Sequence, residues 1–287
     1  MKVARTRSEL REHLLETRGA NMEVGLVPTM GALHAGHLSL MTVARTVCDT
    51  VVTSIFVNPL QFGPGEDFEA YPRRDEEDVE KAEAEGVDVV FLPLVEEVHP
   101  PGRTTSIDVG ELASVLEGEF RPGHFGGVAT VVMTLFDIVQ PDKAFFGQKD
   151  AQQLAVIRRM VRDLAVPVQV IGCPIVREED GLALSSRNAY LSPAERERAV
   201  VLFRALTAGQ ERLLAGAGVQ GAEGAMWNVL SSVDGVLPEY ARAVDPDTFR
   251  APSGERALLV VAARVGPARL IDNFLVETGL VGDGAGQ

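Results

Sequence analysis

The chain has 287 residues, of which 46% are hydrophobic and 24% charged, so it can bury a sizeable core as one large or two modest domains without disulfides or metal ions. Its formal net charge of -14 argues against nucleic acids and anionic membranes as partners, because binding to these needs clustered Lys and Arg. Cys48 and Cys173 form no CxxC pair and no apolar run approaches the length of a transmembrane span, so we expect a cytoplasmic protein with buried thiols.

The first part of the chain alternates between strand and helix patterns. A capping box of Thr6 and Glu9 predicts the start of a charged amphipathic helix that ends at Gly19 and does not resemble a signal peptide. It is followed by strand 24–27, helix 36–47, strand 51–57, helix 73–85, strand 87–92, helix 124–140, strand 143–146, helix 150–164 and strand 166–172. This order predicts an α/β fold whose parallel sheet binds ligands at the carboxyl ends of its strands.

The pattern changes after about Val176. We expect a hairpin, then two helices within residues 193–233 separated by the Gly-rich segment 215–224, and then strands at 240–244, 256–265 and 268–276. The sequence therefore predicts a first domain over residues 1–175 and a smaller α+β domain over residues 176–287. The Gly-rich tail 279–287 is expected to be disordered or loosely held.

The loop before the second predicted helix has features of a phosphate-binding loop. Small residues at positions 31, 32, 35 and 36 allow a ligand to approach the backbone, and a helix that begins near Gly36 offers free N–H groups and the positive end of its dipole. His34 and His37 can face the same side of that helix. The alternatives are a metal pair or two unrelated surface histidines, but no third ligand follows at a zinc spacing, and the strand-turn-helix setting favours contact with a triphosphate.

Lys149 follows a predicted strand in the sequence Phe-Gly-Gln-Lys-Asp. The chain has four lysines, at positions 2, 81, 143 and 149, and it uses arginine at its other basic positions. A lysine at the tip of a sheet strand therefore suggests a need for a compact, mobile ammonium group, as in phosphoryl chemistry. The alternative is a solvated loop cation.

Other polar segments are candidates whose roles the residues leave open. In 184–188 two serines precede Arg187; these groups can donate to phosphate oxygens and close over a bound nucleotide, or they can cap the next helix. Residues 121–127 either gate a pocket or only begin the long helix. Gln61 and Gln153 carry amides that suit a small hydroxy acid, although either one singly is an ordinary polar residue.

Five segments, in this order along the chain, resemble the pantothenate synthetase family: PTMGALHAGH, SIFVNPLQFGPGEDFEAYPR, RPGHFGGVATVV, FFGQKD and DGLALSSRNAYL. The resemblance is continuous over roughly residues 24–195 and looser through EYARAVDPDTF and ARLIDNF. Similarity to the wider class of nucleotidyltransferases with a HIGH motif is confined to positions 34–37, with 185–187 resembling their partner loop.

The resemblance implies a Rossmann-like first domain, a smaller lid-like second domain and a homodimer. It implies that ATP and Mg2+ convert pantoate to an acyl adenylate with release of pyrophosphate, and that β-alanine then attacks and releases AMP. Two other functions stay open from the residues alone, namely a nucleotidyltransferase that leaves the nucleotide on its product and a nucleotide-binding regulatory module without chemistry.

The family's site residues are carried over by matching positions. They make His37 the catalytic histidine, and they leave open whether it transfers a proton or only donates a hydrogen bond. His34 and Lys149 are expected to help stabilise the negative charge that builds on the phosphates. Pantoate is assigned to Gln61 and Gln153, and Mg2+ to the vicinity of Asp78. ATP is assigned to Met30, Gly31, Ala32, Leu33, His34, Ala35, Gly36, His37, Gly147, Gln148, Lys149, Asp150, Val176, Leu184, Ser185, Ser186 and Arg187.

Overall fold

The structure, a computed structural model, describes residues 1–66 and 68–277. The chain divides into two compact units, the first formed by Met1–Gln148 and Val156–Pro174, and the second by Lys149–Ala155 and the described residues from Ile175 onward. The predicted roles of residues 1–175 and 176–287 as ligand-binding and lid-like domains stay predictions. The expectation for the tail 279–287 falls outside the described residues.

The first unit is built on a parallel sheet. Its strands are β1 (Lys2–Ala4), β2 (Val24–Thr29), β3 (Thr50–Ile55), β4 (Val89–Phe91), β5 (Lys143–Gly147) and β6 (Gln169–Cys173). They form six parallel strands in the order β1-β4-β3-β2-β5-β6. Every residue of β3 is buried, as expected for a strand of a parallel sheet that is covered on both faces.

The helices of the first part of the chain are α1 (Arg7–Gly19), α2 (Ala35–Val47), α3 (Asp75–Ala84), α4 (Val95–Val98), α5 (Glu117–Phe120), α6 (His124–Val139) and α7 (Ala151–Asp163). The capping box of α1 is present, with the Thr6 hydroxyl accepting from the N–H of Glu9 and the Glu9 carboxylate accepting from the N–H of Thr6. Met41 and Ala44 of α2 pack with Val27, Val51 and Phe145 in the core of this unit. No helix within residues 1–66 and 68–277 is long and apolar enough to cross a membrane.

Strand order places two loops of this unit at a topological switch point of the sheet. Strand β2 pairs with β3 on one side and with β5 on the other, so the direction of chain progression reverses between β2 and β5. Parallel sheets bind ligands at the carboxyl ends of strands beside such a reversal. The segment from Met30, which follows β2, and Gln148, which follows β5, therefore begin at this edge.

The second unit combines helices with an antiparallel sheet. Its helices are α8 (Pro193–Ala199), α9 (Val201–Leu214) and α10 (Gly218–Ser231), and its strands are β7 (Val236–Val244), β8 (Arg256–Val265) and β9 (Ala268–Glu277), paired in that order. Leu206, Met226 and Leu259 lie in its core. A Cβ on Gly209 would lie 2.5 Å from the Met226 side chain, so glycine allows α9 to approach α10 closely.

The predicted fold class is confirmed, and some local predictions are corrected. Residues 2–4, for which the sequence predicted no strand, form the edge strand β1, because they pair with β4 far along the chain. The two helices expected within 193–233 are three, and the Gly-rich segment is helical from Gly218 onward because its buried face, including Ala222, packs in the core. The expected hairpin after Val176 is present as a short one, with an antiparallel bridge between Arg177 and Ala183 and backbone hydrogen bonds from Glu178 to Leu182 and from Leu184 to Val176.

Candidate active site

The loop after β2 is held from behind by a buried carboxylate. Asp78 of α3 is 1% exposed, and its two oxygens accept the backbone N–H groups of Ala32 and Leu33, each at 2.7 Å. Burial raises the pKa of Asp78, and these two N–H donors oppose the rise. Gly31 has φ +84, and a Cβ there would lie 2.9 Å from the Asp78 carboxylate, so only glycine fits the position.

The two histidines at the start of α2 cap each other's backbone. His34 is the N-cap residue, and its Nδ1 accepts the N–H of Gly36 at 3.1 Å. The Nδ1 of His37 accepts the N–H of His34 at 3.4 Å, and the two ring centroids are 4.1 Å apart. A neutral imidazole that accepts through Nδ1 carries its proton on Nε2. Both rings therefore present Nε2–H donors at one helix terminus.

These contacts correct one expectation about the loop. The sequence predicted free backbone N–H groups at the helix start, but those of Ala32, Leu33, His34 and Gly36 are already donated within the protein. The N–H of Gly31 is donated to the hydroxyl of Thr29 at 3.2 Å. The backbone N–H groups of these five residues are therefore donated within the protein.

Gln61 lies in a short 3-10 turn, Pro59–Gln61, after β3. It is 8% exposed, and its Oε1 accepts from the Nδ2 of Asn58 at 3.0 Å. Its Nε2 lies 3.0 Å from the sulfur of Met30, which is a weak acceptor. The structure thus brings two predicted site residues, Gln61 and Met30, into contact, and adds Asn58, which the sequence did not single out.

The loop before α6 holds the backbone of Gln61. His124 Nδ1–H donates to the carbonyl of Gln61 at 2.8 Å, and Arg121 donates to His124 Nε2 at 3.0 Å. Arg121 also donates two hydrogen bonds, of 2.6 and 2.8 Å, to the carboxylate of Glu66. Burial, together with the charge of Arg121, lowers the pKa of His124 to about 4, so this ring is neutral. The predicted gating segment 121–127 therefore supports the Gln61 turn from within the same unit.

Helix α6 also touches this turn through a glycine. A Cβ on Gly127 would lie 2.2 Å from the carbonyl oxygen of Leu60 and 2.7 Å from the nitrogen of Gln61. Any side chain at position 127 would displace that backbone. The carbonyl of Gly127 accepts from Asn58 Nδ2 at 3.2 Å, which joins the turn to the helix.

The second unit holds the predicted residues around Lys149. Lys149 and Ser185 line one small pocket, together with Asp272 of β9. The backbone carbonyl of Lys149 accepts from Asn273 Nδ2 at 2.9 Å, and its Nζ lies 3.5 Å from the Asp150 carboxylate. Gln153, the other residue assigned to pantoate, is partly exposed in α7.

A buried ion pair supports this pocket. Arg177 donates two hydrogen bonds, of 2.6 and 2.9 Å, to the carboxylate of Asp272, which is 3% exposed. Burial raises the pKa of Asp272, and the charge and hydrogen bonds of Arg177 oppose the rise. The guanidinium carbon of Arg177 also lies 5.2 Å from the ring centroid of Phe203 and 5.0 Å from that of Phe274. This cluster fixes β9 beside the segment that carries Lys149.

The remaining predicted residues lie in the segment 176–188. The N–H of Leu184 donates to the carbonyl of Val176 at 3.0 Å, so these two residues are adjacent. The hydroxyl of Ser185 accepts from the N–H of Arg187 at 3.3 Å and caps the 3-10 turn Ser186–Tyr190. The capping role that the sequence left open is therefore present, and the predicted contact of this segment with phosphate stays a prediction.

The structure does not assign a metal ligand. Within residues 1–66 and 68–277 no group of three or more His, Cys, Asp and Glu side chains could hold a metal ion. Both oxygens of Asp78 are occupied by backbone N–H groups. The association of Mg2+ with Asp78 stays a prediction, and the geometry gives this carboxylate the task of shaping the loop.

Comparison with known proteins agrees with this arrangement. A model of the family described as pantoate-beta-alanine ligase matches residues 2–275. A pantothenate synthetase of Acidobacterium capsulatum is 55% identical over 275 residues, covering 91% of this chain and 88% of the relative. One from Mycolicibacterium smegmatis is 52% identical over 263 residues, covering 91% and 83%.

Solved structures give the same result. The crystal structure of pantothenate synthetase from Thermus thermophilus superposes with a TM-score of 0.90 at 51% identity, covering 96% of this chain and 99% of that one. The pantoate-beta-alanine ligase of Francisella tularensis, complexed with beta-gamma ATP and beta-alanine, has a TM-score of 0.79 at 34% identity, covering 97% and 99%. The resemblance predicted from sequence motifs is confirmed, and the chain belongs to the pantoate-beta-alanine ligase family.

Proposed function

We propose that this chain joins pantoate to β-alanine in an ATP-dependent reaction that passes through a pantoyl adenylate and releases pyrophosphate and AMP. Family membership supports the formation of pantothenate. The Francisella tularensis relative, whose structure holds beta-gamma ATP and beta-alanine, supports ATP as cosubstrate and β-alanine as the amine. The observation that carries the proposal is the pair of Nε2–H donors of His34 and His37 at the α2 terminus, at the ligand-binding edge of the sheet.

In the first step the pantoate carboxylate attacks the α-phosphorus of ATP and pyrophosphate leaves. The reaction needs alignment and charge stabilisation and no protein nucleophile. The Nε2–H groups of His34 and His37 donate to phosphate oxygens, whose charge is high. His37 acts by hydrogen bonding and does not transfer its proton, because its Nδ1 is occupied by a backbone N–H and loss of the Nε2 proton would leave an imidazolate.

Lys149 supplies a positive charge to the same step. Its backbone is held by Asn273, and its Nζ lies 3.5 Å from the Asp150 carboxylate. Ser185, Ser186 and Arg187 add donors to phosphate oxygens. Mg2+, a predicted cofactor, would neutralise further phosphate charge when bound with ATP.

Pantoate is held by amides. The NH2 group of Gln61 donates to an oxygen of the hydroxy acid, and Gln153 provides a second amide. The bound adenylate is a mixed anhydride, and the free amine of β-alanine then attacks its acyl carbon, forms the amide bond and displaces AMP. Exclusion of water preserves the anhydride until the amine arrives.

An isotope experiment tests the adenylate pathway directly. Pantoate with 18O in its carboxylate is incubated with ATP, Mg2+ and β-alanine, and the products are weighed by mass spectrometry. Attack on the α-phosphorus transfers one 18O atom to AMP and leaves the other in pantothenate. Formation of ADP and phosphate would contradict the adenylate, a stable nucleotidylated product would indicate a nucleotidyltransferase, and unchanged ATP would indicate a binding module.

We also propose that the protein is a cytoplasmic homodimer, as the family resemblance implies. Light scattering after size-exclusion chromatography measures the mass in solution. A mass of one chain at micromolar concentration would contradict the dimer.

A further inference from the structure

The amide of Gln61 can face a ligand with its oxygen or with its NH2 group, and the two ends recognise different partners. Its orientation depends on the neighbouring amide of Asn58, which is 1% exposed. Asn58 Nδ2 lies 3.2 Å from the carbonyl of Gly127, which can only accept, and Asn58 Oδ1 lies 3.3 Å from the N–H of Leu60, which can only donate. These two backbone groups identify which end of the Asn58 amide is the nitrogen and which is the oxygen.

The orientation of Asn58 in turn identifies which atom of Gln61 faces it and which nitrogen of His99 carries a proton. Asn58 Nδ2 is a donor, so the atom of Gln61 at 3.0 Å from it is the acceptor Oε1. Asn58 Oδ1 is an acceptor, so the atom of His99 at 2.8 Å from it, Nε2, carries a proton. Burial, with the charges of Arg103 and Arg7, lowers the pKa of His99 to about 4, so the ring carries this single proton at neutral pH.

His99 gives Asn58 Oδ1 its shorter hydrogen bond, since the bond from Leu60 is 0.5 Å longer (3.3 against 2.8 Å). The His99 ring packs edge-on against Phe56, with centroids 5.7 Å apart. With Oε1 of Gln61 accepting from Asn58, the Nε2 of Gln61 meets, among the described residues 1–66 and 68–277, only the thioether of Met30. A thioether is a weak acceptor that a substrate oxygen can replace.

We propose that His99 is a positioning residue that acts through Asn58 to hold Gln61 with its NH2 group available to the substrate, so that this position selects an oxygen acceptor of pantoate. The inference rests on the proposed pantoate-binding role of Gln61. His99 touches no substrate; its loss frees Asn58 and then Gln61 to rotate, and the rotated amide oxygen repels a carboxylate.

Three variants of His99 test the relay in the full-length enzyme. His99→Phe keeps the ring and removes the donor, and we expect the KM for pantoate to rise about fivefold to tenfold while the KM for ATP stays within about twofold, since about one hydrogen bond is lost. His99→Gln, whose NH2 group reaches about as far as Nε2, should restore most of the affinity. His99→Asn, whose side chain is one methylene shorter than that of glutamine, should not restore the affinity for pantoate. If His99→Phe does not fold, comparing His99→Gln with His99→Asn still tests whether a donor in reach of Asn58 is needed. His13→Phe in α1 is the matched control and should leave both KM values unchanged.

A double-mutant cycle separates the relay from a general structural effect. Gln61→Ala alone should raise the KM for pantoate; if it does not, the proposed role of Gln61 is wrong. If it does, adding His99→Phe to Gln61→Ala should change the KM by less than about twofold, because His99 acts only through Gln61. If the increases in the KM for pantoate caused by His99→Phe and Gln61→Ala multiply in the double variant, the inference is wrong. The inference is also wrong if His99→Phe raises the KM for pantoate and the KM for ATP equally. Neither result would affect the proposed role of Gln61.

Discussion

The replacement of Asp78 by asparagine distinguishes a carboxylate that shapes the loop from one that binds metal. The carboxylate is almost fully buried and accepts two backbone N–H groups, from Ala32 and Leu33, at 2.7 Å each. Asparagine has the same shape, but one oxygen becomes an NH2 group that meets a backbone N–H and cannot accept from it. One N–H of the loop is then buried without its acceptor.

The magnitude follows from these two contacts. A hydrogen bond to a charged group contributes about 1.5 to 3 kcal/mol, and a buried unsatisfied N–H costs about 1 to 3 kcal/mol. The lost hydrogen bond and the unsatisfied N–H describe partly the same loss, so the two figures are not simply added. We expect the free energy of unfolding to fall by about 2 to 4 kcal/mol. For a unit of this size the Tm should fall by about 5 to 10 °C. The KM for ATP should rise as well, because the loop that carries His34 loses its support.

Thermal unfolding in EDTA is the decisive measurement, because it removes any metal from the comparison. Asp75→Asn, at an exposed position of the same helix, is the control and should change the Tm little. An unchanged Tm of Asp78→Asn in EDTA, with activity restored by excess Mg2+, would refute the loop-shaping role and support the predicted metal site.

The remaining predictions use the same contacts. His37→Asn keeps an acceptor near Nδ1 and loses the Nε2–H donor, so adenylate formation should fall about 100-fold with an unchanged Tm, whereas a lowered Tm would show that capping dominates. Lys149→Ala should slow the pre-steady-state formation of adenylate by about 100-fold or more, and Lys2→Ala at an exposed position should not. Gly127→Ala should raise the KM for pantoate more than that for ATP, because its Cβ displaces the backbone of the Gln61 turn; equal effects would indicate general misfolding. The pKa of His124 is lowered to about 4 from an ordinary 6.5, so the unfolded chain binds the extra proton, and about 1 to 3 kcal/mol of stability present above pH 6.5 should be lost as the pH falls towards 4. Urea unfolding at pH 7 and pH 4.5 should show a smaller loss for His124→Gln than for the wild type, and equal losses would refute a neutral buried ring.

Local signals explain which elements could be predicted from the sequence. The capping box of Thr6 and Glu9 and the buried run of β3 are encoded within a few residues, and both were found. Strand β1 was missed because three residues carry too little pattern, and its pairing partner is β4, more than eighty residues away. The start of α10 at Gly218 was missed because tertiary packing overrides the low helix propensity of glycine.

The same limit applies to the candidate site. Small residues, two histidines and a rare lysine mark the loop and Lys149 in the sequence itself. The contacts that position them join distant residues: His99 lies 41 positions from Asn58, and Asn273 lies 124 positions from Lys149. Neither His99 nor Asn273 has a local pattern that indicates such a task. An asparagine just after a buried strand, as at Asn58, is the one signal that could have been followed further.

The arrangement at α2 is consistent with the proposed polyanion site in a chain with a net charge of -14. A carboxylate placed behind the loop would repel phosphate if its charge faced the ligand. Asp78 is instead buried, and it uses its charge to orient the N–H groups of Ala32 and Leu33 inward. Because these N–H groups are donated to Asp78, we expect phosphate binding at this terminus, as proposed, to depend on the Nε2–H groups of His34 and His37. A loop with free backbone N–H groups would tolerate loss of either imidazole, whereas this loop should not.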